Sequence, residues 1–270
     1  MPEGRKLVMV TNDDGVHSEG LTELARAASK HADVVIVAPD QPQSATALSL
    51  TFHKPLRVTR LRRSDFETYA VSGSPGDCVM IGVNKLLRER PQLVVSGINI
   101  GDNNTYQDVL ASGTVAAALE SVITGIPAIA FSMEVEEESL FALEYSSSDF
   151  VTAAKVAGNI VGDVLDHGMP RGADLLNVNF PARVSASTSV ALTHVARRKY
   201  TDSVIVRKDP RGRPYYWLFG QKLPSFPAGS DAKAVLVDRE VSITPVKLDL
   251  SGPITEDLES LRRRLEKGRA

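Results

Sequence analysis

Apolar and polar positions along the first two-thirds of this chain switch repeatedly between two periods. Short, nearly continuous apolar runs lie at Lys6 to Val10, Asp33 to Ala38, Gln92 to Gly97, Ile126 to Ser132 and Leu175 to Phe180. Runs of that length and composition mark strands buried on both faces. Between them stand stretches with helical spacing. One covers about Glu19 to Lys30, with Leu21, Leu24, Ala25 and Ala28 on a single stripe. Others cover Pro75 to Leu87, Thr114 to Thr124 and Ser148 to Asp166, the last with Asp149 near its start. Pro75 suits a first helical turn, and Gly125 suits a helix end. From Gln41 to Tyr69 the pattern loosens, with short strands expected near Leu56 to Leu61 and Thr68 to Val71. Strands alternating with helices in this way predict a doubly wound α/β domain with a mainly parallel sheet.

The final third is built differently. From about Ser189 the segments shorten and become rich in β-branched and aromatic residues. Asp209-Pro-Arg-Gly212 separates Ser203–Arg207 from Tyr215–Phe219, which predicts a hairpin. A charged helix from Glu256 to about Lys267 closes the chain, with Leu258, Leu261 and Leu265 on one face. The division expected is a core over 1–188 and a hairpin-and-helix extension over 189–270, as a subdomain or as part of the same domain.

Composition narrows the function classes. At 43% apolar and 24% charged residues the chain reads as an ordinary globular protein. A formal net charge of −2 gives no reason to expect a stable nucleic-acid complex or a membrane surface as partner. The lone Cys78 excludes an internal disulfide framework and any Cys-rich zinc site. No run of 18 apolar residues occurs, and none precedes the first strand, so a cytoplasmic protein is expected.

Three polar loops follow strands of the expected parallel sheet: Asn12-Asp13-Asp14-Gly15, Asp40 to Thr46, and Ser96 to Thr114. Ligands of such sheets bind at the carboxyl ends of the strands, so neighbouring strands would bring these loops together. Asn, Asp and Gly also form turns with no function. Yet two adjacent carboxylates at a strand end repel unless a cation or donors compensate, and hard divalent ions take oxygen ligands. Asn99, within Ser-Gly-Ile-Asn-Ile-Gly, could add a neutral oxygen; Ser44 by itself reads as a loop serine. Ser112-Gly113-Thr114 opens a helix, where Thr114 is expected as the N-cap and free N–H groups can bind phosphate. His17, close to the aspartates, could assist proton transfer or be incidental. Ser72 to Cys78 reads as a strand-to-helix turn or a wall of the substrate pocket. The Gly-rich ATPase and dinucleotide signatures and the serine-hydrolase elbow are all absent.

Taken together and in order, these stretches resemble the SurE family of survival-protein 5′/3′-nucleotidases. The matching runs are Thr11 to His17, Val37 to Ser44, Gly73 to Val79, Val94 to Asn103 and Ser112 to Thr114, with Asp209 to Trp217 and Ser242 to Pro245 further on. The resemblance implies a Rossmann-like three-layer αβα core with a C-terminal hairpin extension and terminal helix. It implies one divalent ion per subunit, Mg²⁺ or Mn²⁺, held by Asp13, Asp14, Ser44 and Asn99. Asn103, Ser112, Gly113 and Thr114 would line the phosphate pocket, and the extension would join subunits into a homodimer or homotetramer. Ala111, Ser74, Gly76 and the stretch Asp238 to Ser242 depart from the family's usual residues.

The activity expected is metal-dependent hydrolysis of nucleoside 5′- and 3′-monophosphates, and of short polyphosphate, with Asp13 and Asp14 as the catalytic pair. Attack by water and attack by an aspartate to give an aspartyl-phosphate both remain open. A non-catalytic nucleotide sensor is the alternative from another class. A haloacid-dehalogenase-like phosphotransferase lacks its D-x-D spacing here, because Asp13 and Asp14 are adjacent.

Overall fold

The computed structural model describes residues 5–62, 65–135, 147–218 and 220–267, with backbone alone for 147–149. Among these residues the chain forms a nine-stranded sheet and a separate two-stranded hairpin. The sheet strands are β1 (Leu7–Thr11), β2 (Asp33–Pro39), β3 (Val58–Leu61), β4 (Glu67–Val71), β5 (Leu93–Ile100), β6 (Ala128–Met133), β7 (Leu175–Phe180), β8 (Val190–Leu192) and β11 (Val241–Val246). The hairpin pairs β9 (Val204–Lys208) with β10 (Pro214–Leu218). The helices are α1 (Glu19–Ala28), α2 (Pro75–Ile81), α3 (Thr105–Ala111), α4 (Gly113–Ile123), α5 (Ser147–His167), the single turn α6 (Asp231–Lys233) and α7 (Glu256–Lys267).

Strand order is β3-β4-β2-β1-β5-β6-β7-β11-β8. The run from β4 to β7 is parallel throughout, as the buried apolar runs predict. β3 is antiparallel to β4, and β11 is antiparallel to β7. Alternate side chains of each strand face opposite helical layers. Val8 and Val10 of β1 pack with Leu21, Leu24 and Phe150 of α1 and α5, whereas Met9 packs with Cys78 of α2 and Val115 of α4. The result is the three-layer αβα core, and the apolar stripe of α1 is wholly buried. Phe131 and Phe180 stack in the first layer at 6.2 Å between ring centroids.

Several boundaries shift for identifiable reasons. The helix expected over Pro75–Leu87 is α-helical only to Ile81 and continues as a π-helical turn over Gly82–Leu86. β5 runs three residues beyond the expected Gly97, through an irregularity between Ser96 and Asn99. There Gly97 has φ of +129°, and a Cβ on it would lie 2.2 Å from the Phe131 carbonyl oxygen, so only glycine fits. α3 was not expected at all. The hairpin and terminal helix form as predicted, though Phe219 lies outside the described residues and Asp149 is described by backbone alone.

Candidate active site

The chain leaves β1 for β2 on one side and returns to β5 on the other, so the sheet's switch point lies between β1 and β5. A crevice opens outside the carboxyl ends of two such strands. The three polar loops meet there. The Val16 N–H donates to Pro39 O (2.8 Å) and the Gln43 N–H to Asp13 O (2.7 Å), joining the loops after β1 and β2. The Ile100 N–H donates to Asp14 Oδ2 at 3.2 Å, joining β1 to β5. The Thr114 hydroxyl donates to Asp13 Oδ1 in a short bond from the start of α4. Gly113 makes that approach possible, since a Cβ there would sit 2.7 Å from the Asp13 Cβ.

The pair of carboxylates is therefore held in place, and it is under electrostatic stress. Burial raises the Asp13 pKa against the pull of the Thr114 hydroxyl and the N–H groups of Asp13, Thr114 and Gly113. Burial and then the charge of Asp13 push the Asp14 carboxyl up to about 7, and the Ile100 N–H only partly offsets this. Two carboxyls resisting ionisation beside each other fit a cation between them. Nearby, Asn12 Oδ1, Thr11 Oγ1 and Ser96 Oγ are buried without a hydrogen-bond partner among the described residues. The Asn99 Nδ2 donates to Gly101 O at 2.7 Å, so its amide oxygen is the atom left to ligate. Among the described residues no group of three or more His, Cys, Asp or Glu side chains forms. An ion here would rest on two carboxylates and neutral oxygens, a donor set that suits a hard divalent cation.

The other expected site residues are arranged less uniformly. Ser44 is exposed and follows Gln43, whose N–H reaches Asp13, so it flanks the pair without a hydrogen bond to it among the described residues. Ser112, not Thr114, is the N-cap of α4: its Oγ accepts from the Val115 N–H at 3.2 Å. Both residue types cap well, and Thr114 lies inside the first turn with its hydroxyl spent on Asp13. Asn103 is buried one loop away, where its Nδ2 donates to Ser132 Oγ at 2.7 Å. His17, three residues after Asp14, is exposed. Ser72 to Cys78 is the expected strand-to-helix turn, with a capping box between Ser74 and Asp77. Asp77 also accepts from the Thr51 N–H and hydroxyl, at 2.8 and 2.7 Å, which pins the segment after the second loop.

Sequence reasoning missed the residues that hold Asn103. Asn179 Oδ1 accepts from the Asn103 N–H (2.7 Å), and the Asn177 Nδ2 donates to Asn103 O (2.9 Å). Their signal was present: two asparagines at alternate positions of the otherwise apolar β7 face one layer and demand partners. Also missed were Lys199, whose Nζ lies 2.7 Å from Asp102 Oδ2 and 3.0 Å from Asp108 Oδ2, and the buried Asp231. Burial alone would lower the Lys199 pKa, but the two aspartates override it and hold it above the ordinary value. A cavity of about 400 Å³ lined by Arg5, Phe66 and Arg88 sits at the opposite, amino ends of the strands, away from these residues.

Comparisons with known proteins agree on one family. The family described as Survival protein SurE matches residues 8–202. A relative from Methanocella arvoryzae, named 5′-nucleotidase SurE, is 44% identical over 246 residues, covering 90% of this chain and 92% of the relative. One of the same name from Thermofilum pendens is 44% identical over 94% of each chain. The crystal structure of the SurE protein from Aquifex aeolicus superposes with a TM-score of 0.79 at 36% identity, covering 96% of this chain and 99% of that one.

Proposed function

The chain belongs to the survival protein SurE family, and from that premise we propose that it is a metal-dependent phosphomonoesterase. Its substrates are nucleoside 5′- and 3′-monophosphates, cleaved to nucleoside and phosphate, together with short polyphosphate. The observation that carries the reading is the Asp13–Asp14 pair at the switch point, facing the start of α4 and pressed toward neutrality by its surroundings.

Asp13, Asp14, Ser44 and Asn99 would hold one Mg²⁺ or Mn²⁺ ion. When bound, the ion supplies positive charge that polarises a phosphoryl oxygen and acidifies water. The chain's own groups do the rest. N–H groups at the start of α4 and the Ser112 hydroxyl offer donors to the phosphoryl oxygens, helped by the helix dipole. Asn103 forms the far wall of that pocket. Asp14 orients the attacking water and accepts its proton. No described helix is long and apolar enough to cross a membrane, and one buried free cysteine suits a reducing cytoplasm. The extension joins subunits into a dimer or tetramer, a reading supported by a terminal helix that buries none of its residues.

The test is phosphate release from a panel of nucleoside 5′- and 3′-monophosphates with EDTA, Mg²⁺ or Mn²⁺, for wild type and Asp13→Asn. Metal-dependent release lost in the variant is the expected result. Nucleotide binding without release under any metal would replace the hydrolase with a sensor.

A further inference from the structure

The loop carrying Asn103 is fastened from two directions. From below, β7 grips its backbone through Asn177 and Asn179. The Asn103 side chain is held by Ser132 of β6, and a further set of ties comes from the C-terminal third of the chain. The Lys199 Nζ sits between Asp102 and Asp108, one residue before Asn103 and five after it. The Thr105 N–H donates to Asp231 Oδ2 at 3.0 Å, and the Tyr106 N–H to Ala196 O at 2.8 Å. Asp231 Oδ1 in turn accepts from the Ala196 N–H at 2.9 Å, which ties the two straps together. Thr105 is held at φ +78°, a left-handed backbone that a threonine adopts only under constraint.

A lysine side chain that is only 6% exposed and spans two carboxylates is costly to build unless its geometry serves something. Surface chemistry does not explain it, because Asp102 and Asp108 are themselves largely covered, at 13% and 23% exposure. What the three charges share is the short segment between them, and that segment contains Asn103.

We infer that Lys199 is a positioning residue: by bridging Asp102 and Asp108 it sets the loop that presents Asn103 to the substrate phosphate. The inference rests on the phosphate-pocket reading of Asn103 given above. Lys199 itself touches no reacting atom. Its removal leaves two buried carboxylates facing each other, and their repulsion spreads the loop. Binding of the phosphate group then weakens while the metal-side chemistry, carried by Asp13 and Asp14, stays in place.

The test compares the full chain as wild type, as Lys199→Met, and as Lys199→Met with Asp108→Asn, each with saturating Mg²⁺ or Mn²⁺. The readouts are kcat and KM for a nucleoside monophosphate, inhibition by inorganic phosphate, and hydrogen exchange of amides 103–108. Weakening one hydrogen bond to a charged phosphate is worth roughly tenfold in binding, so a rise of roughly tenfold is expected in both KM and the phosphate inhibition constant, with kcat within about threefold. Exchange across 103–108 should accelerate, and the added Asp108→Asn should recover most of the KM by removing the repulsion. Should Lys199→Met fail to fold, Asp108→Asn alone, which keeps the Lys199–Asp102 bridge, carries the same expectation at smaller size. Unchanged KM and phosphate inhibition beside a lower Tm would make Lys199 a fold support only and overturn the inference. A fall in kcat with KM intact would overturn it too. A wild type that releases no phosphate overturns the site reading and this inference with it, a result distinct from an active wild type and an indifferent variant.

Discussion

The crevice at β1 and β5 and the C-terminal hairpin with its helix both carry large apolar side chains, put to opposite use. Around the crevice, Val8, Met9, Val10, Val94, Val95 and Phe131 are fully covered by helices on both faces. In the extension, Val204, Val206, Tyr216 and Trp217 are 54–65% exposed, and Leu218 is 89% exposed. The first region satisfies its apolar surface within one chain and so can hold two adjacent carboxylates against their repulsion. The second leaves large apolar side chains uncovered, with Val204, Val206, Tyr216 and Leu218 on one face of the hairpin and Trp217 on the other, a density of exposed hydrophobics that suits a partner surface. Rigid support lies under the chemistry, and unspent hydrophobicity lies at the periphery.

Substitutions sharpen this contrast by their size. In the covered region the largest effect should come from Phe131→Ala, which removes a ring stacked on Phe180 beneath the crevice. A loss of about 3–5 kcal/mol is expected from the transfer and cavity costs together, read as a shift of the urea midpoint. A loss below about 1 kcal/mol would mean that the layer can collapse around the gap and is less rigid than its packing implies. Next comes Gly113→Ala. Its new Cβ would meet Asp13 Cβ at 2.7 Å and Oδ2 at 2.9 Å, so the carboxylate must move. A drop in kcat/KM on the order of 100-fold is expected, with Tm nearly unchanged. Full activity would show that Asp13 does not need its present position.

The sequence made the covered region readable because its signals are local. Apolar runs gave β1, β2, β5, β6 and β7 to within a few residues, and turn residues at their ends located the three loops that meet. What stayed hidden depends on residues far apart. The start of α3 is fixed when Asp231 accepts from the Thr105 N–H, a bond spanning 126 residues that no window of the chain contains. Helical signal over the seven residues Thr105–Ala111 is too short to stand out from a Gly/Asn-rich run. Ser112 and Thr114 are both good caps, and only the proximity of Asp13 decides between them. Lys199 stands in an Arg-Arg-Lys run that reads as a solvated surface patch until Asp102 and Asp108 are brought to it. For the extension, the hairpin and helix were legible, but no residue in either shows what covers them.

That last gap has a built-in probe. The chain has one tryptophan, Trp217, on β10 and 62% exposed within its own chain. If the extension packs on another subunit, the indole is covered in the assembly and its emission is blue-shifted at high protein concentration. Dilution below the dissociation constant should shift it to the red together with a fall in mass by light scattering. Leu258→Ser combined with Leu261→Ser tests the terminal helix separately, since both leucines are about half exposed in the chain. Exposed positions that touch nothing change stability by no more than about 0.5 kcal/mol, so the dilute protein should unfold almost as wild type does. If the extension is the means of association, the assembly should nevertheless weaken, because the same side chains would then be buried between subunits. A red emission and a monomer mass at every concentration would leave the apolar surface without its proposed occupant, and the extension could not then be the means of association.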